Sequence, residues 1–331
     1  MITYRLGVDD LAGTRFAISP LQETVGSLWA IAEPGRAALH LPWLRAIRPA
    51  LATLDTRLLL SIVGPTLALP DFLTPRPVTF AAAIADELAV ARAAPADRVR
   101  EDLAATYRPD PVPDAWKAVD APGDEPVLAL RDALCDLLER YWRLALEPQW
   151  PRMRLVLEAD ATYRARRLAT GGFRLLFADL HPNVRFEDGV LSIEDMIGRW
   201  DVDAAGRGLL LIPSLFTFKP VPPMSAEEAP WLCYPSRGVG TLWGPAPRPD
   251  GTVLAALLGK PRATLVRMLE EPLPTSELAR RLAVTPSAVS QHLQVLHAGG
   301  LVTRARDGRT VLYRRSPLGD QLVDGAPAGS A

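Results

Sequence analysis

The stretch that most limits the fold runs from Thr275 to Leu301, Thr-Ser-Glu-Leu-Ala-Arg-Arg-Leu-Ala-Val-Thr-Pro-Ser-Ala-Val-Ser-Gln-His-Leu-Gln-Val-Leu-His-Ala-Gly-Gly-Leu. Leu278, Ala279 and Leu282 fall at i, i+1 and i+4, which places them on a single helix face. Thr275 or Ser276 is placed to cap that helix, because a short hydroxyl satisfies a free backbone N–H. Thr285 is the candidate cap of a second helix, with Pro286 at its first position, where no N–H is needed. Val289, Leu293 and Leu296 recur at i, i+4 and i+7 and predict one buried stripe. Gly299-Gly300 allows the left-handed turn that ends the helix.

The other face of the second helix carries Ser287, Ser290, Gln291 and Gln294. Such side chains can reach base edges: Gln pairs well with adenine, and Ser with several bases. The pattern therefore predicts a helix-turn-helix whose second helix enters a DNA major groove. Leu301 to Thr303 begins a strand, Asp307-Gly308 is a hairpin turn signal, and Thr310 to Arg314 is the return strand. Arg304, Arg306 and Arg309 cluster around that turn, where guanidinium groups can meet phosphates or the minor groove. Upstream, Val253 to Glu271 reads as one amphipathic helix. The order helix, helix, helix, strand, strand is that of a winged helix. From Ala256 to Ser316 there are 10 Lys and Arg against 4 Asp and Glu, near +6, whereas the whole chain is near −1. A basic module on an acidic body is an electrostatic footprint for nucleic acid.

Residues from about 258 to 317 resemble the winged helix of the ArsR family of bacterial transcriptional regulators. The resemblance is carried by Ser-Ala-Val-Ser-Gln-His-Leu-Gln-Val-Leu-His-Ala-Gly-Gly-Leu-Val (287–302) and Arg-Asp-Gly-Arg-Thr-Val-Leu-Tyr (306–313). It implies that Ser287, Ser290, Gln291 and His292 lie where that family contacts DNA. The candidate DNA-binding set is then Thr285, Ser287, Ala288, Ser290, Gln291, His292, Gln294, Arg304, Arg306 and Arg309. A bland reading stands beside each part. A winged helix can contact protein, His292 can be packed against the stripe, His297 can be a solvated helix-end residue, and Arg280 and Arg281 can be a solvated face. Founding members of the family sense metals through thiolates or clusters of His and carboxylate. This chain departs from that pattern: its only cysteines are Cys135 and Cys233, and His40, His181, His292 and His297 show no ligand spacing. No metal and no cofactor is expected.

The rest of the chain is long enough for one or two further domains. Two cysteines give no disulfide framework and suit a reducing compartment. Arg5, Asp9 and Asp10 interrupt any signal peptide, and the apolar run Leu58 to Leu69 is too short to span a bilayer and contains Pro65. Ile2, Tyr4 and Leu6 alternate like a strand. Helices are predicted around Leu21–Ile31, Trp43–Leu51, Leu54–Val63, Phe80–Ala91, Val99–Tyr107 and Leu128–Leu146. A long helix runs from Pro151 to about Thr170, with Arg152, Arg154, Arg164, Arg166 and Arg167 as a solvated face. Gly171-Gly172 ends it, and Phe173 to Leu180 starts another. Strands follow: a hairpin around Asp188-Gly189, then Gly208–Pro213 and Trp231–Tyr234. Between Pro220 and Pro249 there are 8 Pro, yet Trp231, Tyr234 and Trp243 lie there too, which indicates an ordered segment.

Thr14–Leu21, Pro42-Trp43-Leu44, Pro70–Pro75 and Tyr234–Trp243 resemble actinobacterial ArsR-like regulators with a long N-terminal domain of unknown role. The resemblance implies an intracellular regulator and names no ligand. No G-x-S-x-G elbow, P-loop or H-E-x-x-H is present, so no enzyme is expected. Arg237-Gly-Val-Gly240 reads as a tight turn, and His181 before Pro182 as a helix-end cap. Asp71 and Asp179 are polar residues in apolar surroundings. Asp86-Glu87 and Glu194-Asp195 are expected on helix surfaces. A pocket drawing on the aromatics and on Arg15, Arg174 and Arg237 is more plausible than catalysis.

The fold expected is α+β and mainly helical. Residues 1–245 form a regulatory and dimerising domain, mostly helical to 180 and β-containing over 181–245. A hinge follows at 246–252, a winged helix-turn-helix at 253–318 and a frayed tail at 319–331. The function expected is a ligand-responsive repressor that binds an inverted repeat of double-stranded DNA as a homodimer. It would act in the bacterial cytoplasm, on the nucleoid when DNA-bound, without membrane contact and with a small-molecule effector of unknown identity. The alternative is an N-terminal enzyme or protein-interaction module with an accessory winged helix.

Overall fold

The computed structural model describes residues 1–196, 198–224, 226–243, 251–307 and 310–324. The chain divides into two units, Met1–Gly244 and Pro245–Ala331. Of the expected hinge, residues 246–250 lie outside the described residues, and 251 and 252 already belong to a helix.

In chain order the first unit holds β1 (Ile2–Arg5), α1 (Val8–Ala12), β2 (Arg15–Phe16), α2 (Pro20–Ala32), α3 (Leu41–Leu51) and α4 (Thr56–Leu60). It continues with α5 (Ile84–Arg92), α6 (Ala96–Tyr107), α7 (Glu125–Ala145) and α8 (Trp150–Phe177). Then come β3 (Val184–Glu187), β4 (Val190–Ile193), β5 (Trp200–Asp203), β6 (Leu210–Ser214) and β7 (Trp231–Pro235). The architecture is α+β and mainly helical.

The centre of this unit is α2. Ser19 starts it by accepting the Gln22 N–H at 2.9 Å, with Pro20 in the first turn. Its residues from Pro20 to Ala30 are all buried, and the polar face made by Glu23, Thr24 and Ser27 is hydrogen-bonded: Glu23 accepts the Leu215 N–H at 3.0 Å, and the Ser27 and Tyr141 hydroxyls lie 2.7 Å apart. Leu21, Val25 and Leu28 join Leu134, Leu138 and Tyr141 of α7 in one core. A second core lies between the end of α8 (Leu176, Phe177) and a sheet of order β3-β4-β1-β5, through Tyr4, Leu191 and Val202.

The β content is not local to 181–245. β1 pairs antiparallel with β4 and parallel with β5, and β2 pairs with β6 in a parallel sheet of order β2-β6-β7. The first 16 residues thus complete both sheets. Two-residue β2 has no alternation to read, so its pairing was invisible in the pattern. The hairpin at Asp188-Gly189 forms as expected, both residues having positive φ.

Three helical expectations shift. Leu54–Val63 contracts to α4, because Asp55 accepts the Leu58 N–H and caps it late. Phe80 precedes α5 and instead gives its carbonyl to the Ile18 N–H at 2.7 Å. The long helix α8 continues through Gly171 and Gly172 with a kink, Gly172 at φ 65° and ψ −165°, where a side chain would be strained.

Arg164 corrects the solvated arginine face. It is 1% exposed, ion-paired with Asp179, and donates to the carbonyls of Leu176 at 3.3 Å and Asp179 at 3.2 Å. It therefore ties α8 before the kink to the chain after it. Arg154 and Arg166 are exposed as expected.

The second unit holds α9 (Gly251–Leu258), α10 (Lys260–Met268), β8 (Leu273–Pro274), α11 (Thr275–Leu282) and α12 (Pro286–Ala298). β9 (Val302–Asp307), β10 (Thr310–Arg315) and α13 (Pro317–Asp324) complete it. The single helix expected over Val253–Glu271 is two. Gly259 at φ 80° and ψ 145° breaks it, and Pro261 restarts it in the first turn of α10. Residues 319–324 of the expected frayed tail are helical: Ser316 Oγ accepts the Gly319 N–H, and Asp320 pairs with buried Arg315 at 2.9 Å. The remainder of that tail lies outside the described residues.

Candidate nucleic-acid interface

The turn between α11 and α12 is set by Ala283, which adopts φ 53° and ψ 41°. The Val284 N–H returns to the Ala279 carbonyl at 3.1 Å, which closes the end of α11. Thr285 then opens α12. Its hydroxyl accepts the Ala288 N–H at 3.3 Å, and Pro286 occupies the first turn. The other expected cap differs. α11 begins at Thr275 with Pro274 before it, and neither hydroxyl caps it.

Val289, Leu293 and Leu296 form the predicted stripe and are at most 1% exposed. They pack on Leu265 and Val266 of α10, Leu269 just after it, Leu278 and Ala279 of α11, and Val302 and Tyr313 of the hairpin. Burial on this side determines what remains outside. Ser287, Gln291 and Gln294 are exposed at i, i+4 and i+7, so they share one outward face. Ser290, Ala288 and His292 flank it and are half-buried, and Thr285 is exposed at its start. His297 is exposed at the helix end.

β9 and β10 pair antiparallel from Arg315↔Val302 out to Thr310↔Asp307. Arg304 and Arg306 are both exposed and, two residues apart, lie on one face of the hairpin. Arg309 lies outside the described residues. Sequence reasoning missed a third strand: β8 pairs with β10 through Pro274↔Leu312 and Leu273↔Tyr313, closing the wing onto the base of α11. Arg315 is buried and donates its backbone N–H to the Leu269 carbonyl at 2.8 Å, so it belongs to the core of the module.

Arg280 and Arg281 both bind Glu277. Arg280 donates through Nε (2.8 Å) and Nη2 (2.6 Å), and Arg281 through Nε (2.7 Å). Hydrogen bonds from Arg280 and then Arg281 hold the Glu277 carboxyl down at about 2.

The polar residues singled out in the first unit are dispersed. Arg237 lies over the Tyr163 ring at 3.7 Å, and its backbone N–H binds Asp160 at 3.1 Å. Arg174 lines an open groove with Asp179 and His181, and Arg15 is exposed on β2. His181 Nδ1 accepts the Asn183 N–H at 3.1 Å, a turn at the end of α8. Glu87 is not on a helix surface. It is 4% exposed and accepts the Leu21 N–H at 2.8 Å, and burial pushes its carboxyl up to about 7. Glu194 and Asp195 follow β4, outside any helix.

Asp71 is buried and accepts the Met224 N–H at 2.8 Å. Arg98 joins Asp102 (3.1 Å) and Glu228 nearby. Cys135 and Cys233 are buried and free. Among the described residues no helix is long and apolar enough to cross a membrane.

Comparison with known proteins concerns the second unit. Residues 261–305 match the family model of a helix-turn-helix domain. A Halobacterium salinarum protein carrying the name arsenical resistance operon repressor ArsR is 39% identical over 83 residues, 24% of this chain and 64% of its own length. The HTH-type transcriptional repressor SmtB of Mycobacterium tuberculosis is 43% identical over 77 residues, 21% of this chain and 57% of its own. The HTH-type transcriptional regulator Rv2034 of the same organism is 41% identical over 71 residues, 22% and 66%. The chain thus spans less than two thirds of each of these relatives, and each match takes up less than a quarter of the chain. No solved structure matches. The C-terminal unit, by its element order, buried stripe and these matches, is an ArsR-like winged helix-turn-helix.

Proposed function

We propose that the chain is a sequence-specific DNA-binding transcription regulator, acting as a repressor on an inverted-repeat operator. One observation carries this reading: Ser287, Gln291 and Gln294 form an exposed polar face beside a hairpin that exposes Arg304 and Arg306. In the major groove, each glutamine would read an adenine edge with two hydrogen bonds, its carboxamide N–H donating to N7 and its carbonyl accepting from the N6 amine. Ser290 and His292 would contact the groove walls, Thr285 and the N–H groups of the first turn of α12 a phosphate, and Ala288 a thymine methyl. Arg304, Arg306 and Arg309 would anchor the wing on the backbone. The repressor names of two relatives support the sign of regulation.

Palindromic sites require a two-fold protein, so the acting species is a homodimer, with half-sites about one helical turn apart. The first unit is the regulatory and dimerising domain, and the protein works in the cytoplasm. A small-molecule effector acts by binding more tightly to one of two states of the dimer. Selection from a random duplex pool by the purified full-length protein tests the reading. Enrichment of one inverted repeat is expected. A pool that stays random, with and without added cell extract as a source of effector, contradicts it.

A further inference from the structure

The first unit contains a cavity of about 290 Å³, reached between α2, the loop 66–74 and the segment 217–224. Ligand sites run from roughly 300 Å³ upward, so this one suits a compact molecule. Its walls are mainly apolar and aromatic, with Trp29, Trp200, Trp231 and Phe218 among them.

Gln22 is the observation that points to a ligand. It lies on α2, lines the cavity and is 2% exposed. Its backbone N–H is used by the Ser19 cap. Its side-chain carboxamide has no hydrogen-bond partner among the described residues. A carboxamide that lines a cavity without a protein partner leaves its donor and acceptor open to whatever fills that cavity. Two further groups line the same cavity. The Trp200 indole N–H is buried without a partner. Asp71 uses one carboxyl oxygen to accept the Met224 N–H.

The charge of the ligand follows from its neighbours. Burial, and then the charges of Glu228 and Asp102, push the Asp71 carboxyl up to about 8, so near neutrality it is an acid that can donate. An anion entering here loses its water against mainly apolar walls, and Glu228 and Asp102 behind Asp71 are already paired with Arg98. A cation loses its water against aromatic walls and meets Lys219 and Arg108, which also line the cavity. A neutral molecule avoids both penalties.

We infer that this cavity is a binding site for a compact, uncharged, mainly apolar ring compound whose polar edge pairs with the Gln22 carboxamide and the Asp71 carboxyl. The inference deepens the reading of the chain as an effector-responsive regulator and supplies the site and ligand class.

The test is calorimetric titration of the full-length protein, without DNA, with benzamide and benzyl alcohol as neutral probes and benzoate and benzylamine as charged ones. Saturable binding of a neutral probe is expected, at least about tenfold tighter than either charged probe. Gln22→Leu, which keeps the volume and removes the polar edge, weakens it about tenfold or more. Ala68→Phe fills the cavity from a half-exposed loop position and abolishes it, which keeps the test valid where Gln22→Leu fails to fold. No saturable binding of either neutral probe, tighter binding of a charged one, or an affinity indifferent to both substitutions overturns the inference. Because DNA is absent, a bound neutral probe with no enriched operator leaves the pocket standing and sinks the regulator. An enriched operator with no bound probe does the reverse.

Discussion

Glu277 and Arg280 form a two-point ion pair on α11, with Nε–Oε2 at 2.8 Å and Nη2–Oε1 at 2.6 Å. Arg281 shares the same carboxylate. Two of the cations in the basic unit are therefore engaged before any phosphate arrives. Replacing Glu277 by Gln releases both. The expected result is several-fold tighter binding to duplexes of every sequence and a steeper fall with salt, since more counterions are displaced. Unchanged non-specific affinity would mean that this edge of α11 stays away from the backbone.

Gln291 and Arg304 separate reading from anchoring. Gln291→Ala should cost about 1–3 kcal/mol on the operator and nothing on scrambled duplex. Arg304→Ala should weaken both alike and reduce the salt slope by about 0.9. Filter binding across a salt series distinguishes them. Equal losses on both duplexes for Gln291→Ala would remove it from the base-reading set.

The winged helix depends on a small core. Leu293 is fully buried at its centre, and truncation to Ala should cost about 2–5 kcal/mol by the lost transfer and the cavity left behind. Thr285→Ala removes the α12 cap and should cost about 1 kcal/mol. Denaturant unfolding of the full chain, followed in its second unit, measures both. A Leu293→Ala effect under 1 kcal/mol would contradict the packing described.

Stability should fall as pH rises from about 6.5 to 8. Asp71 is raised from 3.8 to about 8 and Glu23 from 4.5 to about 7, burial being the largest cause for each. A raised carboxyl holds its proton in the folded state after the unfolded chain has released it. Its contribution is complete below the unfolded value and is lost as pH climbs through the folded one. His40 works the other way, lowered by burial from 6.5 to about 4, so its stability is lost only as pH falls through that lower range. Above 6.5 the carboxyls dominate. Thermal midpoints of the wild type should drop across this window, and those of Asp71→Asn should drop less. A midpoint that rises with pH here would contradict the assignment.

The legible parts of this molecule are those with local causes. Val289, Leu293 and Leu296 recur with the helical period, and α12 lies where that period and the Thr285-Pro286 start put it. Asp188-Gly189 is a turn because of its own dihedral preferences. What was not legible depends on distant partners. β8 is two residues, one of them Pro274, and exists only because β10 passes beside it. Arg164 looked like its solvated neighbours until the kink at Gly172 brought Asp179 onto it. Gln22 carried no signal at all, because its meaning lies in having no partner within a wall built from segments nearly 200 residues apart. The Gly259 break was readable in Gly-Lys-Pro, but the apolar spacing on both sides concealed it.

The central claim is that the exposed face of α12 reads sequence. Its most direct test is the affinity of the full-length protein for its selected inverted repeat against a scrambled duplex of equal length at physiological salt. The account predicts a preference of at least about a thousandfold, with two chains bound per repeat. Equal affinity for the two duplexes would contradict it and leave the winged helix as a surface for protein.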